Sequence, residues 1–383
     1  MNITFLIGNG FDIGLGLETR YEDFYKKYCE IDGTENQNIK NFKEMLKNHN
    51  QQENGKIINW ADFEKAFGAH AKDFASNEEQ SYNEQKSRYI ERFEDFVVEF
   101  NEYIEKEEHW LDYGNKELIS KTMFEGVTTY HHIRRADRIA LENLYNTISG
   151  NRIYNFISFN YTKSVDKCAA FLKERLKNDN SRGVGQILHI HGYIDENMIM
   201  GVNDPSQIMN HEFADDMDVL RTIVKPQQNI DVRSNYEKPV IDTINSSNII
   251  CIYGMSIGET DKKWWTIIAE WLSKSDKRAL VILKYEKGYD RRFAFRQNQY
   301  IDSTINDFLK LSEQPEEIKK AIRSKIYVGF NHNVFAMNLR QTFTSHYGEI
   351  LSVSDAIEVA ASSTSLDEEA VETVESAKQL INK

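Results

Sequence analysis

The stretch Ile3-Thr-Phe-Leu-Ile7, followed by Gly8-Asn9-Gly10-Phe11-Asp12, decides the fold class. Its first five residues are apolar or β-branched and show no polar alternation, which is typical of a strand covered on both faces of a parallel sheet. The glycines after it permit a sharp turn. Similar runs recur at residues 153–159, 187–190, 199–202, 249–253, 280–283 and 326–330, several of them separated by stretches of helical periodicity. This alternation predicts an α/β protein with a Rossmann-like, mostly parallel sheet flanked by helices.

About 145 residues without a convincing strand separate the first two predicted strands, which is far more than a simple crossover needs. We therefore predict a large helical insertion after strand 1. Its clearest helix carries an aromatic stripe between Tyr89 and Ile104 with steps of three and four, as expected for core packing. Residues 34–55 are rich in Asn, Gln, Glu and Lys and are interpreted as a loop or a solvated helix.

The expected domain organisation follows from these patterns. Residues 1–20 and 150–350 form a Rossmann-like nucleotide-binding domain, and residues 21–149 form the inserted helical module. Residues 351–383 are acidic and lack aromatics, so they are predicted to be a helical or mobile tail.

Composition limits the functional classes. The 383 residues carry a formal net charge of −13, which repels a phosphate backbone unless a local basic patch overrides it, so bulk nucleic-acid binding is not expected. Cys29, Cys168 and Cys251 are too widely spaced for a disulfide framework or a zinc clamp. The start of the chain does not read as a signal peptide, and no window has the ~18 consecutive apolar residues of a membrane span. We expect a cytoplasmic protein without a membrane partner.

Polar residues follow several predicted strands, at the edge where open α/β sheets bind ligands. After strand 1, the backbone of Gly8, Asn9, Gly10 and Phe11 could approach a phosphate closely, although a tight structural turn explains the glycines as well. Asp12 does not suit a bare phosphate cradle, because its carboxylate repels phosphate unless it contacts ribose hydroxyls or a metal.

The next two polar segments follow the predicted strands at 153–159 and 187–190. Asn160 and Tyr161 come first, and Asn160 could hold a ribose, an amide or a water, or could simply cap a helix starting near Thr162. His189 and His191 then share one face of a strand. No third ligand is visible, so we predict no metal site. His191 beside a glycine suits a general base, and His189 is expected to be a buried, hydrogen-bonded histidine.

The segment at 252–261 is again a strand running into a glycine turn and a helix. Gly254 and Ser256 could contact a second part of a nucleotide. Asp261 is grouped with the predicted nucleotide contacts, although an ordinary residue at a helix N terminus is the simpler interpretation.

The order of these segments resembles the AbiH family of bacteriophage abortive-infection proteins. The resemblance rests on LIGNGFD, NWADFEKAF, FISFNYTKSVD, HIHGYID, IMGVND and IYGMSIGETD, and it spans roughly residues 3–265. Within NWADFEKAF, Trp60 packing and Asp62 capping a helix are the simple interpretations, while Asp62 and Glu64 could instead form an acidic pair that reaches the site. The family resemblance implies a defence protein with a phage-derived trigger.

The same chain order is distantly similar to that of sirtuins, which bind NAD on a Rossmann-type sheet. That similarity implies that Gly8 and Gly10 form the phosphate loop, that Asn160 contacts the ribose or nicotinamide side, that His191 is the catalytic base, and that Gly254 with Ser256 forms a cofactor turn. Thr162 replaces the sirtuin acid and the zinc cysteines are absent, so zinc and protein deacetylation are not expected.

Three functions remain open from the sequence. The first is an NAD glycohydrolase-like enzyme in which His191 takes a proton and Asn160 positions ribose or water. The second is a metal-assisted nuclease or phosphohydrolase using Mg²⁺, Asp12, one of the two histidines, and Asp261. The third is a non-enzymatic sensor of a nucleotide or phage component, which could act as a homo-oligomer.

Overall fold

The computed structural model describes residues 1–30, 34–52, 60–74, 81–128, 133–194, 196–231, 236–290, 292–331, 334–341, 343–344 and 350–351. The predicted acidic tail lies outside these residues except for its first position. No helix in the described part of the chain is long and apolar enough to cross a membrane.

A six-stranded, wholly parallel sheet forms the centre of the fold, which confirms the α/β, Rossmann-like prediction. Its strands are β1 (Asn2–Ile7), β2 (Arg152–Ser158), β3 (Arg182–His189), β4 (Ile249–Tyr253), β5 (Ala279–Lys284) and β6 (Ile326–Phe330), in the order β3-β2-β1-β4-β5-β6. β1 and β4 are neighbours although more than 240 residues separate them in the chain. A short antiparallel pair, β7 (Phe343–Thr344) and β8 (Ile350–Leu351), lies outside this sheet.

Helices surround the sheet and fill the insertion. They are α1 (Gly10–Gly14), α2 (Tyr21–Glu30), α3 (Gln37–Gln52), α4 (Trp60–His70), α5 (Tyr82–His109), α6 (Lys116–Thr128), α7 (Arg135–Thr147), α8 (Ser164–Arg175), α9 (His211–Ala214), α10 (Met217–Ile223), α11 (Lys225–Asp231), α12 (Glu237–Ser246), α13 (Lys262–Ser273), α14 (Ala294–Leu311) and α15 (Glu316–Arg323). Short 3₁₀ turns occur at Ala71–Phe74, Pro205–Gln207 and Glu259–Asp261. One face of the sheet packs on α6 and α8, and the other packs on α12, α13 and α14.

The long connection between β1 and β2 contains helices, as predicted, and α5 carries the expected aromatic stripe. Ser81 and Glu84 form a capping box that starts α5, and the stripe residues Tyr89, Phe96 and Phe100 are buried. The segment interpreted as a loop or solvated helix contains α3, one side of which buries Ile39, Phe42 and Leu46. Its polar composition therefore conceals an amphipathic helix.

The strand predicted at residues 199–202 is wrong. Ile199, Met200 and Val202 are buried, but Val202 forms only an isolated bridge with Val224. Met200 and Val202 pack with the aromatic side chains of the inserted helices rather than in the sheet. A short apolar run signals burial, and burial under helices leaves the same pattern as burial in a sheet.

Candidate functional site

A cavity of about 350 Å³ lies at the carboxyl edge of the sheet, beside the point where β1 and β4 meet. In this strand order, that point is where the chain reverses its direction of winding and where open α/β sheets bind ligands. Nine of the eleven residues predicted from the sequence line the cavity: Gly8, Asn9, Asp12, Asn160, Tyr161, His191, Gly254, Ser256 and Asp261. The sequence segments therefore converge, although they come from four separate parts of the chain.

The other two predicted residues, Gly10 and Phe11, are not among the lining residues. Phe11 is buried, and its ring lies 5.8 Å from that of Phe335, centroid to centroid. The Phe11 N–H donates to the Gly8 carbonyl at 2.9 Å, which closes the turn after β1.

The glycines hold two turns in direct backbone contact. The Gly8 N–H donates to the Tyr253 carbonyl at 2.9 Å, and the Gly10 N–H donates to the Gly254 carbonyl at 2.8 Å. A Cβ on Gly10 would lie 2.5 Å from Gly254 Cα, and Gly254 has a φ of +68°. Glycine is thus needed at both positions for close approach of the chain, and the amides of Gly8 and Gly10 already have backbone acceptors.

Two asparagines fasten the first turn to its surroundings. The Asn9 side chain donates to the Thr19 carbonyl at 2.7 Å and accepts from the Thr19 hydroxyl at 2.5 Å. The Asn160 amide donates to the Gly8 carbonyl at 3.2 Å, and it does not cap a helix, because α8 begins at Ser164 with Lys163 as its N-cap. Asn160 is therefore held at the cavity wall by β1.

Asp12 is a buried carboxylate with two hydroxyl donors. It accepts hydrogen bonds from Thr162 at 2.9 Å and from Ser164 at 2.5 Å. Burial raises the pKa of Asp12 to about 6, against the lowering effect of these two hydrogen bonds. Thr162 is thus a hydrogen-bonding partner of Asp12.

His191 lies in the cavity wall between two aromatic rings. Its ring centroid is 5.8 Å from that of Phe159 and 6.0 Å from that of Tyr161. Burial lowers the pKa of His191 well below its usual value, and the nearby positive charge of Lys225 lowers it further. The imidazole is consequently neutral at pH 7 and has a nitrogen able to accept a proton.

The cavity also contains a buried ion pair between Glu64, which the sequence indicated, and Lys225, which it did not. Lys225 Nζ lies 2.8 Å from Glu64 Oε1 and 2.9 Å from Glu64 Oε2, and both residues are buried. Burial raises the pKa of Glu64, whereas Lys225 lowers it. Glu64 thus reaches the site, as one interpretation of NWADFEKAF proposed, while the side chains of Trp60 and Asp62 lie outside the described residues. No sequence motif marked Lys225, because a single lysine ahead of a proline has no distinctive pattern.

Asp261 stands beside this pair at the N terminus of α13. It occupies the N-cap position but makes no side-chain capping hydrogen bond. Burial raises its pKa to about 6, partly offset by Lys225. The interpretation of Asp261 as an ordinary helix-starting residue does not account for a carboxylate placed in the cavity wall.

His189 is buried and hydrogen-bonded, as predicted, and it is not among the residues that line the cavity. Its Nε2 lies 2.7 Å from an Asp166 carboxylate oxygen, and its Nδ1 lies 3.3 Å from the Asn160 carbonyl. The Tyr193 ring covers it at 4.1 Å between centroids. Asp166, which the sequence analysis missed, therefore positions the backbone of Asn160 through His189.

The charges of the cavity are mainly negative. Four carboxylates, Asp12, Glu22, Glu64 and Asp261, line it together with two cations, Arg20 and Lys225. Lys225 is engaged by Glu64, and Arg20, whose side chain is 53% exposed, lies 4.0 Å from an Asp23 carboxylate oxygen. Among the described residues, no three His, Cys, Asp or Glu side chains converge as a metal-binding group. The interior is thus suited to a neutral or cationic group.

The chain matches the model of a known protein family. The family model described as "Bacteriophage abortive infection AbiH" matches residues 4–283 and therefore includes every cavity residue described above. No curated protein matches the chain.

Proposed function

This chain belongs to the AbiH family of bacteriophage abortive-infection proteins, and we propose that its cavity hydrolyses the N-glycosidic bond of NAD⁺ or a related nucleotide. Loss of such a nucleotide would stop growth of an infected cell, in keeping with the abortive-infection role of the family. We also propose that the Rossmann-like sheet binds the nucleotide in an arrangement similar to that of sirtuins.

The observation that carries the proposal is the pairing of a neutral histidine with several carboxylates in one cavity. Cleavage of a glycosidic bond passes through a sugar cation resembling an oxocarbenium ion, which nearby carboxylates stabilise. Asp261 supplies that negative charge, since Glu64 is paired with Lys225, and His191 supplies a base that is unprotonated at pH 7.

The chemical step can be written from these groups. The bond between ribose C1′ and the nicotinamide nitrogen breaks, and its electron pair stays with the ring, which leaves as neutral nicotinamide. A water then adds to C1′ and gives its proton to His191. Asn160, held by its hydrogen bond to Gly8, orients the ribose or this water. General base catalysis of this kind contributes a factor of about 10²–10⁴ in rate.

The charge distribution favours one orientation of the substrate. The oxidised nicotinamide ring is a cation, so it suits the acidic interior. The phosphates are expected near Arg20 rather than against the amides of Gly8, Gly10 and Phe11, because those amides donate to backbone carbonyls. The predicted contacts at Asn9, Tyr161, Gly254 and Ser256 then lie along the wall between these two ends.

The test is release of nicotinamide from NAD⁺ by the purified chain, measured by mass spectrometry with and without lysate from phage-infected cells. We expect His191→Asn and Asn160→Ala to reduce release by about 10²-fold or more. The control is His109→Asn, which alters an exposed histidine at the end of α5. Full activity of His191→Asn would remove His191 from the mechanism, and intact NAD⁺ under both conditions would refute hydrolysis.

A further inference from the structure

The segment that runs from the end of β5 into the first turn of α14 exposes three aromatic rings. Tyr285 is 78% exposed, Phe293 is 50% exposed and Phe295 is 73% exposed. Large aromatic side chains are usually buried, and several close together on a surface mark an interaction site. Because β5 is paired with β4, this segment leaves the same edge of the sheet as the cavity.

Positive charge accompanies these rings. The thirteen residues from 284 to 296 include five basic and two acidic residues, in a chain whose net charge is −13: the basic ones are Lys284, Lys287, Arg291, Arg292 and Arg296. The guanidinium of Arg296 lies 5.2 Å from the centre of the Phe293 ring. Arg292 pairs with Asp290 at 2.7 Å and Lys284 with Glu286 at 3.7 Å, so the segment carries a local excess of positive charge after its two acids are neutralised.

A second basic feature lies at the other end of α14. A groove of about 350 Å³ between α14 and α15 is lined by four cations, Lys310, Lys319, Lys320 and Arg323, and by a single carboxylate, Glu316. Such a lining attracts phosphate groups.

The exposed side of α14 connects the two features. Phe295, Gln299, Asp302, Asn306 and Lys310 are separated by steps of three and four, which places them on one stripe, and all five are exposed. The opposite side of the helix is buried in the core. Asp302 is the acid on this stripe and pairs with Arg323 at 2.7 Å, while Glu316 pairs with Lys319 at 2.9 Å. Lys310 and Lys320 therefore supply the net positive charge at this end of the stripe.

We propose that this surface, called here the α14 surface and comprising the 284–296 segment, the exposed stripe of α14 and the groove beside α15, binds single-stranded nucleic acid. Exposed rings stack on unpaired bases irrespective of sequence, and the cations contact the phosphates. A duplex keeps its bases stacked within the helix, so it cannot use the rings. The combination of rings and cations therefore selects a single strand, and this proposal is independent of the reaction in the cavity.

The test is fluorescence anisotropy of a labelled oligouridine with the full chain at several salt concentrations. Phe295→Ala and Tyr285→Ala should each weaken binding by about fivefold or more, since stacking on one base is worth ~1–3 kcal/mol. The double variant Lys310→Gln/Lys320→Gln should reduce the dependence of log affinity on log salt by about 1.4, because each phosphate contact on a single strand contributes ~0.7. All four side chains are exposed, so folding should be retained.

Matched controls are Ile139→Ala on α7, which removes an exposed apolar side chain elsewhere, and Lys106→Gln on α5, which removes an exposed cation elsewhere. Both should bind as the unaltered chain does. No saturable binding at low salt, equal affinity for a duplex, or unchanged affinity in both sets of variants would overturn the proposal. Equal affinity for oligoglutamate would likewise replace nucleic acid with an acidic protein segment as the ligand.

Discussion

Replacing Lys225 with methionine tests how the inserted module is joined to the cavity. Glu64 is 3% exposed and Lys225 is 6% exposed, and the ammonium lies within 2.9 Å of both carboxylate oxygens. In Lys225→Met, the N–H of Gly201 at 3.3 Å is the one hydrogen bond left to Glu64 among the residues that the structure describes. An uncompensated buried carboxylate should lower the free energy of unfolding by about 3–5 kcal/mol.

The pH dependence of this loss has a defined sign. Burial raises the pKa of Glu64 in the folded state, and loss of Lys225 removes the effect that opposes it. A carboxyl group with a raised folded pKa stabilises the fold below its unfolded pKa, and that contribution disappears as the pH rises through the folded pKa. The deficit of Lys225→Met should therefore be greater at about pH 8 than at about pH 5.

Urea unfolding followed by circular dichroism at both pH values measures this effect. The double variant Glu64→Leu/Lys225→Met removes both charges and should unfold within about 1–2 kcal/mol of the unaltered chain, since apolar replacement of a buried pair is often nearly neutral. The control is Lys263→Met, because the partly exposed Lys263–Glu237 pair should contribute no more than about 1 kcal/mol. Equal destabilisation of the single and double variants, without pH dependence, would refute the reasoning.

Three further predictions concern the site. Asp261 should be ionised for activity, so nicotinamide release by the unaltered chain should decline below a pH of about 6. Release by Asp261→Asn should be low and should lack this decline. Identical pH profiles of the two proteins would contradict the role of Asp261. Gly10→Ala should lower the free energy of unfolding, measured with urea, by about 1–3 kcal/mol, because the added Cβ would meet the backbone of Gly254. Gly183→Ala, whose added Cβ would make only ordinary contacts, should have a much smaller effect in the same measurement. Asp166→Asn should displace Asn160, because His189 connects the two residues. Turnover should fall by up to about 10²-fold while NAD⁺ binding is largely retained. A change in binding alone would assign Asp166 a different role.

Much of the fold could be predicted from local pattern. From Ile3 to Ile7, β1 is apolar or β-branched because both faces of a central parallel strand are covered. The α5 stripe repeats at the spacing of a helix. The strand predicted at residues 199–202 is wrong because hydrophobicity indicates that residues are buried but not which kind of element they belong to. The segment that follows β3 and ends at Lys225 packs against the inserted helices. The sequence of this segment does not indicate that contact.

The candidate site could be anticipated because parallel strands bring their carboxyl ends to one edge. Asn160, His191 and Gly254 each follow a strand, so the topology alone places them together. The contacts of Asp166 and Lys225 arise from side chains on helices that approach from outside the sheet, and only the packed structure shows them. From the sequence, the glycines after β1 could serve either a phosphate loop or a tight turn. In the structure they allow the turn after β1 to approach the turn after β4 closely. Neither the strand pattern nor the glycine spacing specifies this contact.

The proposed reaction is tested most directly by incubating NAD⁺ with the purified chain in water labelled with heavy oxygen, with and without lysate from phage-infected cells. The account predicts unlabelled nicotinamide and ADP-ribose carrying one heavy oxygen, with both products reduced by about 10²-fold or more in His191→Asn. Unchanged NAD⁺ under both conditions with protein shown to be folded, or equal product from His191→Asn, would contradict it.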